Sequence, residues 1–403
     1  MTLDGGSMKR CRLINRQWIF HREKIPGAHS VMIAVVAMAA VVTAQNPIGW
    51  ASISGATTGG AGGTTVTVTN ETDLVSNAKS SSAMIIKVSG KISCDRVNVA
   101  SNKTIEGAAS GATVAGSLVM YGKSSAPVKN VIISNLVIAP ESGSFEDAIS
   151  MQFADHIWVD HCDVSDKRST LDGLCDMTHA CDYITISWTK FSYPNNTTDH
   201  RFCMLISHSD DNASEDLGHL KITLHHDWWA QNVFERMPRM RFCQVHSFNN
   251  YFSAAGNNYC IGAGVQAQVR VESDYFDGVS NPHEFYDGET TAIIATNTDN
   301  QYINTTGKKD VGQGTCFTPP YSYKLDAGSS VKNMVMSGAG PFKTVAIESI
   351  PFEPAPVKTP FARPAVKAFA VTLQGSLLPV ASVQGSFPYI IINSKPSVRS
   401  VVK

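Results

Sequence analysis

A short apolar run recurs six times along this chain, and the recurrence narrows the fold more than any other feature. The runs are Val131-Ile132-Ile133-Ser134-Asn135, Ile157-Trp158-Val159-Asp160-His161, Ile184-Thr185-Ile186-Ser187-Trp188, Leu220 to His226, Cys243 to Asn250 and Val269 to Asp274. Aligned on Asn135, His161, Trp188, His226, Asn250 and Asp274, they lie 26, 27, 38, 24 and 24 residues apart. A period in the mid-twenties, with apolar alternation and a polar or aromatic residue at the turn, fits an all-β parallel β-helix in which each coil stacks on the last. An antiparallel sandwich would favour tight-turn pairs such as Asn-Gly between neighbouring strands, and the chain has no Asn-Gly. The long interval holds residues 193–215, a polar stretch expected to bulge outward as a loop. Upstream, Val66 to Val68 and residues 85–88 read as strands, with a short helix from Asp73 to Ala78 between them.

Charge is unevenly distributed. Residues 1–44 carry six Lys/Arg against two acids, and residues 351–403 carry six against Glu353 alone. The whole chain is at −1, which leaves −10 for residues 45–350. An acidic block between basic ends argues against nucleic acid as the partner. The run from Val31 to Ala44 is apolar, uncharged and shorter than the ~20 residues a membrane span needs. It follows Lys9, Arg10, Arg12, Arg16, Arg22 and Lys24 and ends in small residues, so residues 1–44 read as a leader with a secretory signal cleaved near Ala44, leaving no membrane partner. Eight cysteines follow the leader, an even number that suits disulfides in an exported protein. Sequons at Asn70, Asn102, Asn195, Asn196, Asn212 and Asn304 permit glycosylation. Residues 45–340 then form the β-helix domain. Residues 341–403 form a basic tail outside the core, and its final 53 residues hold eight of the 18 prolines.

Two sets of residues carry chemistry. Arg236-Met237-Pro238-Arg239-Met240-Arg241 puts three guanidinium groups in six residues, and in extended chain Arg239 and Arg241 share a face. Asp147, Asp172 and Asp176 precede it on successive coils, where stacked strands lie ~4.8 Å apart. Three clustered carboxylates repel one another unless a cation sits among them, and oxygen-only ligation favours Ca²⁺.

In order, these residues resemble the pectate lyase family. The resemblance rests on Glu146-Asp147-Ala148-Ile149-Ser150, Ile157-Trp158-Val159-Asp160-His161-Cys162, Asp172-Gly173-Leu174-Cys175-Asp176-Met177 and Asp182 to Trp188. It continues through Leu205-Ile206-Ser207-His208-Ser209-Asp210, His225-His226, the arginine segment, and Val245-His246 with Asn249-Asn250-Tyr251, and covers residues 49–340. It implies a right-handed parallel β-helix and a secreted, monomeric enzyme that cleaves polygalacturonate by calcium-assisted β-elimination. It further implies Asp147, Asp172 and Asp176 as calcium ligands, Arg236 as the base that removes the C5 proton, and Arg241 as a clamp on substrate carboxylate. A guanidinium ordinarily stays protonated to about pH 12, so the base role calls for cations close by.

One position departs from the family pattern. Where the family has a lysine ahead of Leu205-Ile206, this chain has Phe202, with Arg201 adjacent as a substitute cation for substrate. On the sequence alone, Phe202→Lys is expected to leave activity unchanged or raise it. His225-His226 is expected to pack in a coil turn, Trp228 and Trp229 fit either core or sugar stacking, and Arg239 has no matched role. The alternatives are a calcium-independent pectin lyase, which would not need three clustered acids, and a β-helical glycoside hydrolase, which would leave the arginines without a task. A secreted carbohydrate-binding effector that has lost catalysis is the third, with Phe202 as its main support.

Overall fold

The computed structural model describes residues 46–342 except 144, 146, 169–172 and 199, together with the short strands Leu13–Ile14, Gln17–Trp18, Phe369–Val371 and Leu377–Pro379. The expected signal run and nearly all of the proposed tail therefore lie outside the described residues. The fold is a right-handed parallel β-helix with three strands to a coil. A ten-stranded back sheet runs from Thr64–Val68 to Ile293–Thr296. A second sheet, which carries the candidate site, contains Thr113–Tyr121, Ile149–Gln152, Cys175–Thr178, Leu205–Ile206, Arg239–Met240, Ile261–Ala263 and His283–Phe285. The same 15-stranded sheet turns through Thr113–Tyr121 into a second arm that closes each coil, with strands such as Lys190–Ser192, Trp228–Trp229 and Tyr251–Phe252. The short helix expected near Asp73 is present as Glu71–Lys79, its Asn70 side chain accepting from the Asp73 amide at 3.0 Å.

The recurring runs are back-sheet strands in register. Ile133, Val159, Ile186, Leu224, Ser247 and Val271 form one row. Two residues further on, Asn135, His161, Trp188, His226, Asn249 and Ser273 all adopt positive φ, between 48° and 57°. This left-handed residue turns each coil out of the back sheet, at a steric cost that the stacked coils must hold in place. The alignment on Asn250 and Asp274 is therefore late by one residue, and the last turns fall at Asn249 and Ser273. The coil after His226 is shorter by a residue than period alone suggests.

Asn250 and Asp274 have a different task, one step into the coil. The Thr189 amide donates to Asp227 Oδ1 at 2.8 Å, the Asp227 amide to Asn250 Oδ1 at 2.8 Å, the Asn250 amide to Asp274 Oδ1 at 2.7 Å, and the Asp274 amide to Asn300 Oδ1 at 2.8 Å. Each buried amide at the corner is thus satisfied by a side chain of the following coil, where no strand ladder can serve it. Beside this column the interior is apolar. An aromatic stack runs Phe191, Trp229, Phe252, Phe276, Tyr302, with centroids 5.9, 4.5, 4.4 and 5.3 Å apart.

Several expectations resolve here. Trp229 is a member of the interior stack. Trp228 packs beside Tyr251, Val331 and Val335, under the helix Gly328–Gly338, and its Nε1 donates to Ser253 Oγ at 2.8 Å. His226 stacks on Trp188 at 4.3 Å and meets Asp326 at 3.1 Å, so it packs in the turn as expected. Residues 193–215 are not one outward bulge, because the site strand Leu205–Ile206 and the short helix Ala213–Asp216 lie within and just after them. The disulfide expectation is corrected: Cys94, Cys162, Cys175, Cys181, Cys203, Cys243, Cys260 and Cys316 are all buried free thiols. They occupy packing positions, as where Cys175 pairs in register with Ile149, and burial pushes thiols such as Cys94 up to about 11. The sequon residues are exposed except for the half-buried Asn212.

Burial raises the Asp274 carboxyl to about 7, against the lowering effect of its bonds from Ser247 Oγ and the Asn250 amide. The folded protein holds this proton more tightly than the unfolded chain, so the stability associated with Asp274 is highest below about pH 4 and declines as pH rises to about 7. Asp274→Asn keeps the acceptor and removes the titration. In thermal unfolding its advantage over the parent should grow across that window, to at most roughly 4 kcal/mol at neutral pH. A stability difference that does not change with pH would show that Asp274 ionises without penalty.

Candidate active site

The site sheet gathers its functional side chains around one short strand. Two consecutive amides set the arrangement: Leu205 N donates to Asp176 Oδ1 at 2.9 Å, and Met204 N donates to the Arg236 carbonyl at 2.8 Å. The Arg239 amide returns to the Met204 carbonyl at 3.0 Å, and the Arg241 amide to Ile206 at 3.0 Å. The acid pair and the arginine segment, 60 residues apart between Asp176 and Arg236, are therefore fastened to opposite edges of the same strand.

On the acidic edge, Asp147 and Asp176 converge over Gly173. A methyl carbon built at Gly173 would sit 2.8 Å from Asp176 Oδ1 and 3.2 Å from Asp147 Oδ1. Glycine leaves open the small space that both carboxylates face. Asp147 is 8 % exposed, and its carbonyl also accepts from Ser117 Oγ. The Tyr121 phenol is raised first by burial and then by the charges of Asp147 and Asp176, while its hydroxyl meets Ser150 Oγ at 3.0 Å. Hard oxygen donors around a gap suit Ca²⁺ rather than a softer metal. Asp172, the third expected ligand, lies outside the described residues. Among the described residues, no three His, Cys, Asp or Glu side chains form a metal-holding group.

On the basic edge the three arginines differ. Arg236 has φ 60° and lays its guanidinium on the Phe202 ring, 4.2 Å from the centroid. Its Nε has no hydrogen-bond partner among the described residues. Phe202 is fixed for this by a backbone bridge to Glu235 and by the Tyr193 hydroxyl, which donates to its carbonyl at 2.5 Å. Arg241 is only 6 % exposed and is engaged, with Nη1 on the Ser207 carbonyl at 2.9 Å and Nε on Asp210. Arg201 is buried with Nε on the Asn232 carbonyl at 2.7 Å, a further bond to Thr198, and its guanidinium 5.2 Å from the Phe234 ring. It is turned toward loop carbonyls, and the ring beside Arg236 is that of Phe202.

Arg239 does not face bulk solvent. It lies half-buried on the outward row of the sheet, in register through Leu205 with Asp176, and rests on the Tyr286 ring at 3.8 Å. Burial lowers its basicity, with the Arg241 charge next in importance. Sequence reasoning missed Tyr259 and Tyr286. The one available signal was Gly262, whose missing side chain makes room for both rings: a methyl there would come within 2.8 Å of Tyr259 and 3.4 Å of Tyr286.

Known proteins resemble this chain over most of its described length. Residues 25–344 match the family model described as pectate lyase. A pectate lyase B from Emericella nidulans is 42% identical over 235 residues, covering 57% of this chain and 68% of the relative. A probable pectate lyase A from Neosartorya fischeri is 39% identical over 298 residues, covering 72% and 87%. Among solved structures, a pectate lyase from Bacillus sp. N165 in complex with trigalacturonate superposes with a TM-score of 0.64 at 28% identity, over 73% of this chain and 98% of that one.

The Gly173 gap supplies a direct test. Gly173→Ala places a methyl against both carboxylates. Titration calorimetry should then show Ca²⁺ affinity reduced by about tenfold or more, since each displaced charged ligand costs more than 1 kcal/mol. Unchanged calcium binding in this variant would mean that the cation is held elsewhere.

Proposed function

Because the chain belongs to the pectate lyase family and is a polysaccharide lyase, we propose that it cleaves polygalacturonate by calcium-assisted β-elimination and releases unsaturated oligogalacturonides outside the cell. The observation that carries this reading is the attachment of Asp176 and Arg236 to the adjacent amides of Leu205 and Met204. An acidic face would repel an acidic polymer, and the carboxylates over Gly173 provide a place where a cation joins the two. The bound cation would neutralise a uronate carboxylate and so acidify its C5 proton. Asp147 and Asp176 would hold it, with Asp172 as the third ligand.

The chain's own residues would do the rest. Arg236 is the candidate base for the C5 proton. Its guanidinium is free of ion pairs among the described residues, and the Phe202 ring holds its plane without occupying its N–H edge. In its neutral form Arg236 would take the C5 proton, and the electrons of the C5–H bond would form the C4–C5 double bond as the bond from C4 to the leaving oxygen breaks. The departing oxygen would take a proton from solvent while Arg236 returns its own proton to solvent. Arg241, held by Asp210 and Ser207, presents its remaining donors as a preset clamp on a substrate carboxylate. Arg201, turned to loop carbonyls, would support the loop that carries Phe202 and could reach substrate only after giving up those bonds. Secretion is the reading that the apolar run ending near Ala44 supports.

Ultraviolet absorbance of the unsaturated product tests this reading. Purified protein given polygalacturonate should gain absorbance with calcium, and the gain should stop when chelator is added. Turnover of methyl-esterified polymer that ignores chelator would identify a pectin lyase instead, and no gain on either polymer would remove the lyase assignment for this chain. Arg236→Lys should abolish turnover with the fold intact, and a near-normal rate would displace Arg236 as the base.

Phe202 has a role that the sequence alone did not suggest. Phe202→Ala takes away the ring that holds the plane of Arg236 and should lower kcat/KM by about tenfold or more, the cost of a mispositioned catalytic group, while Phe202→Tyr should stay close to the parent. Phe202→Lys would replace the ring by a second cation beside Arg236, so an unchanged or higher rate in that variant would show that the ring is dispensable.

A further inference from the structure

Arg239 and Tyr259 form a set of donors that the protein itself does not satisfy. Arg239 Nε is buried without a hydrogen-bond partner among the described residues, and its guanidinium enters no ion pair there. Tyr259 is 2 % exposed, and its hydroxyl likewise has no partner among the described residues. The two are neighbours. Tyr286 joins them, its ring 3.8 Å from the Arg239 guanidinium and edge to face with the Tyr259 ring at 5.5 Å, and Tyr259 lies against Gly262, which pairs in register with Arg239. Burial raises the Tyr259 phenol, so its hydroxyl stays a donor throughout the working pH range.

A buried donor left unbonded costs free energy, and two of them beside like-charged guanidinium groups cost more. Such an arrangement becomes favourable when an anion with two oxygens arrives, since a carboxylate matches a guanidinium edge and accepts a phenol at the same time. Tyr286 covers one face of the Arg239 guanidinium at 3.8 Å, which fixes its plane and accepts none of its hydrogen bonds. Gly262 lies directly beside Arg239 in the sheet and leaves the space both rings need. The outward row Asp176, Leu205, Arg239 sets Arg239 two strands from the acid pair, roughly 10 Å away along the sheet.

We propose that Arg239 and the Tyr259 hydroxyl form a further carboxylate-binding position on this face, taking a uronate next to the one presented to Arg236. The inference rests on the polygalacturonate reading above. It assigns Arg239 to binding rather than to proton transfer, so its loss should weaken affinity and spare the chemical step.

The test uses the full chain with calcium, trigalacturonate as the calorimetric probe and polygalacturonate as the kinetic substrate. Arg239→Ala should raise Kd and KM by about tenfold, with kcat within about twofold, and Arg239→Lys should restore part of the loss. Tyr259→Phe preserves the ring and should raise KM by about threefold while leaving the melting temperature unchanged or higher, because a buried unbonded hydroxyl has gone. If the parent binds and cleaves but Arg239→Ala and Tyr259→Phe keep its Kd and KM, the position is not a substrate site. If the parent neither binds nor cleaves polygalacturonate, the functional reading fails first and this one falls with it.

Discussion

The later coils depend on a bond repeated at each corner from Thr189 to Asn300, from a backbone amide on one level to a side-chain oxygen on the next. Strand ladders satisfy the flat parts of the helix, but each corner needs a left-handed residue and leaves an amide turned inward. The column Thr189, Asp227, Asn250, Asp274, Asn300 answers that demand level by level. Without it these corners would bury orphan donors, and the strained residues from Trp188 to Ser273 would be held by their own amide bonds to the next coil alone. Two members of the column are carboxylic acids in an apolar interior, so the device that fixes the corner also makes the fold sensitive to pH.

Above this frame, the site sheet separates opposite charges by one strand. Carboxylates stand on one side of Leu205–Ile206 and guanidinium groups on the other, each tied to its backbone. Pairing Arg236 or Arg239 with an acid would stabilise it but would also block it. Aromatic faces solve this differently: Phe202 and Tyr286 hold the guanidinium planes and accept none of their hydrogen bonds. Arg241 shows the other solution, with Asp210 and Ser207 fixing it and fewer donors left over.

The back sheet was the most legible part of the fold, because its strands alternate apolar residues in nearly equal coils and end on a residue with a distinctive turn. The error of one residue at Asn250 and Asp274 arose because two successive positions, the turn residue and the inward acceptor, both favour small polar side chains. The site strand Leu205–Ile206 was hidden by its length, since two residues carry no periodicity. The order of acids and arginines in the sequence pointed to the candidate site, but not to which arginines are engaged. That depends on Asp210, Phe202 and Tyr286, whose contacts with the arginine segment are tertiary. The cysteines misled for a related reason: an even count says nothing about whether thiols face one another or, as here, replace aliphatic residues in a stack.

Inserted residues leave the helix between strands and do not disturb the rungs, as the 38-residue coil from Trp188 to His226 shows. Loops can therefore lengthen freely, while the outward rows of the site sheet keep a fixed step of ~4.8 Å per coil. The sheet acts as a ruler laid beside any polymer that lies along it. Charged groups can be exchanged at its marks but cannot be moved between them, so on this fold a change of specificity comes in whole steps, by changing which residue stands at a mark.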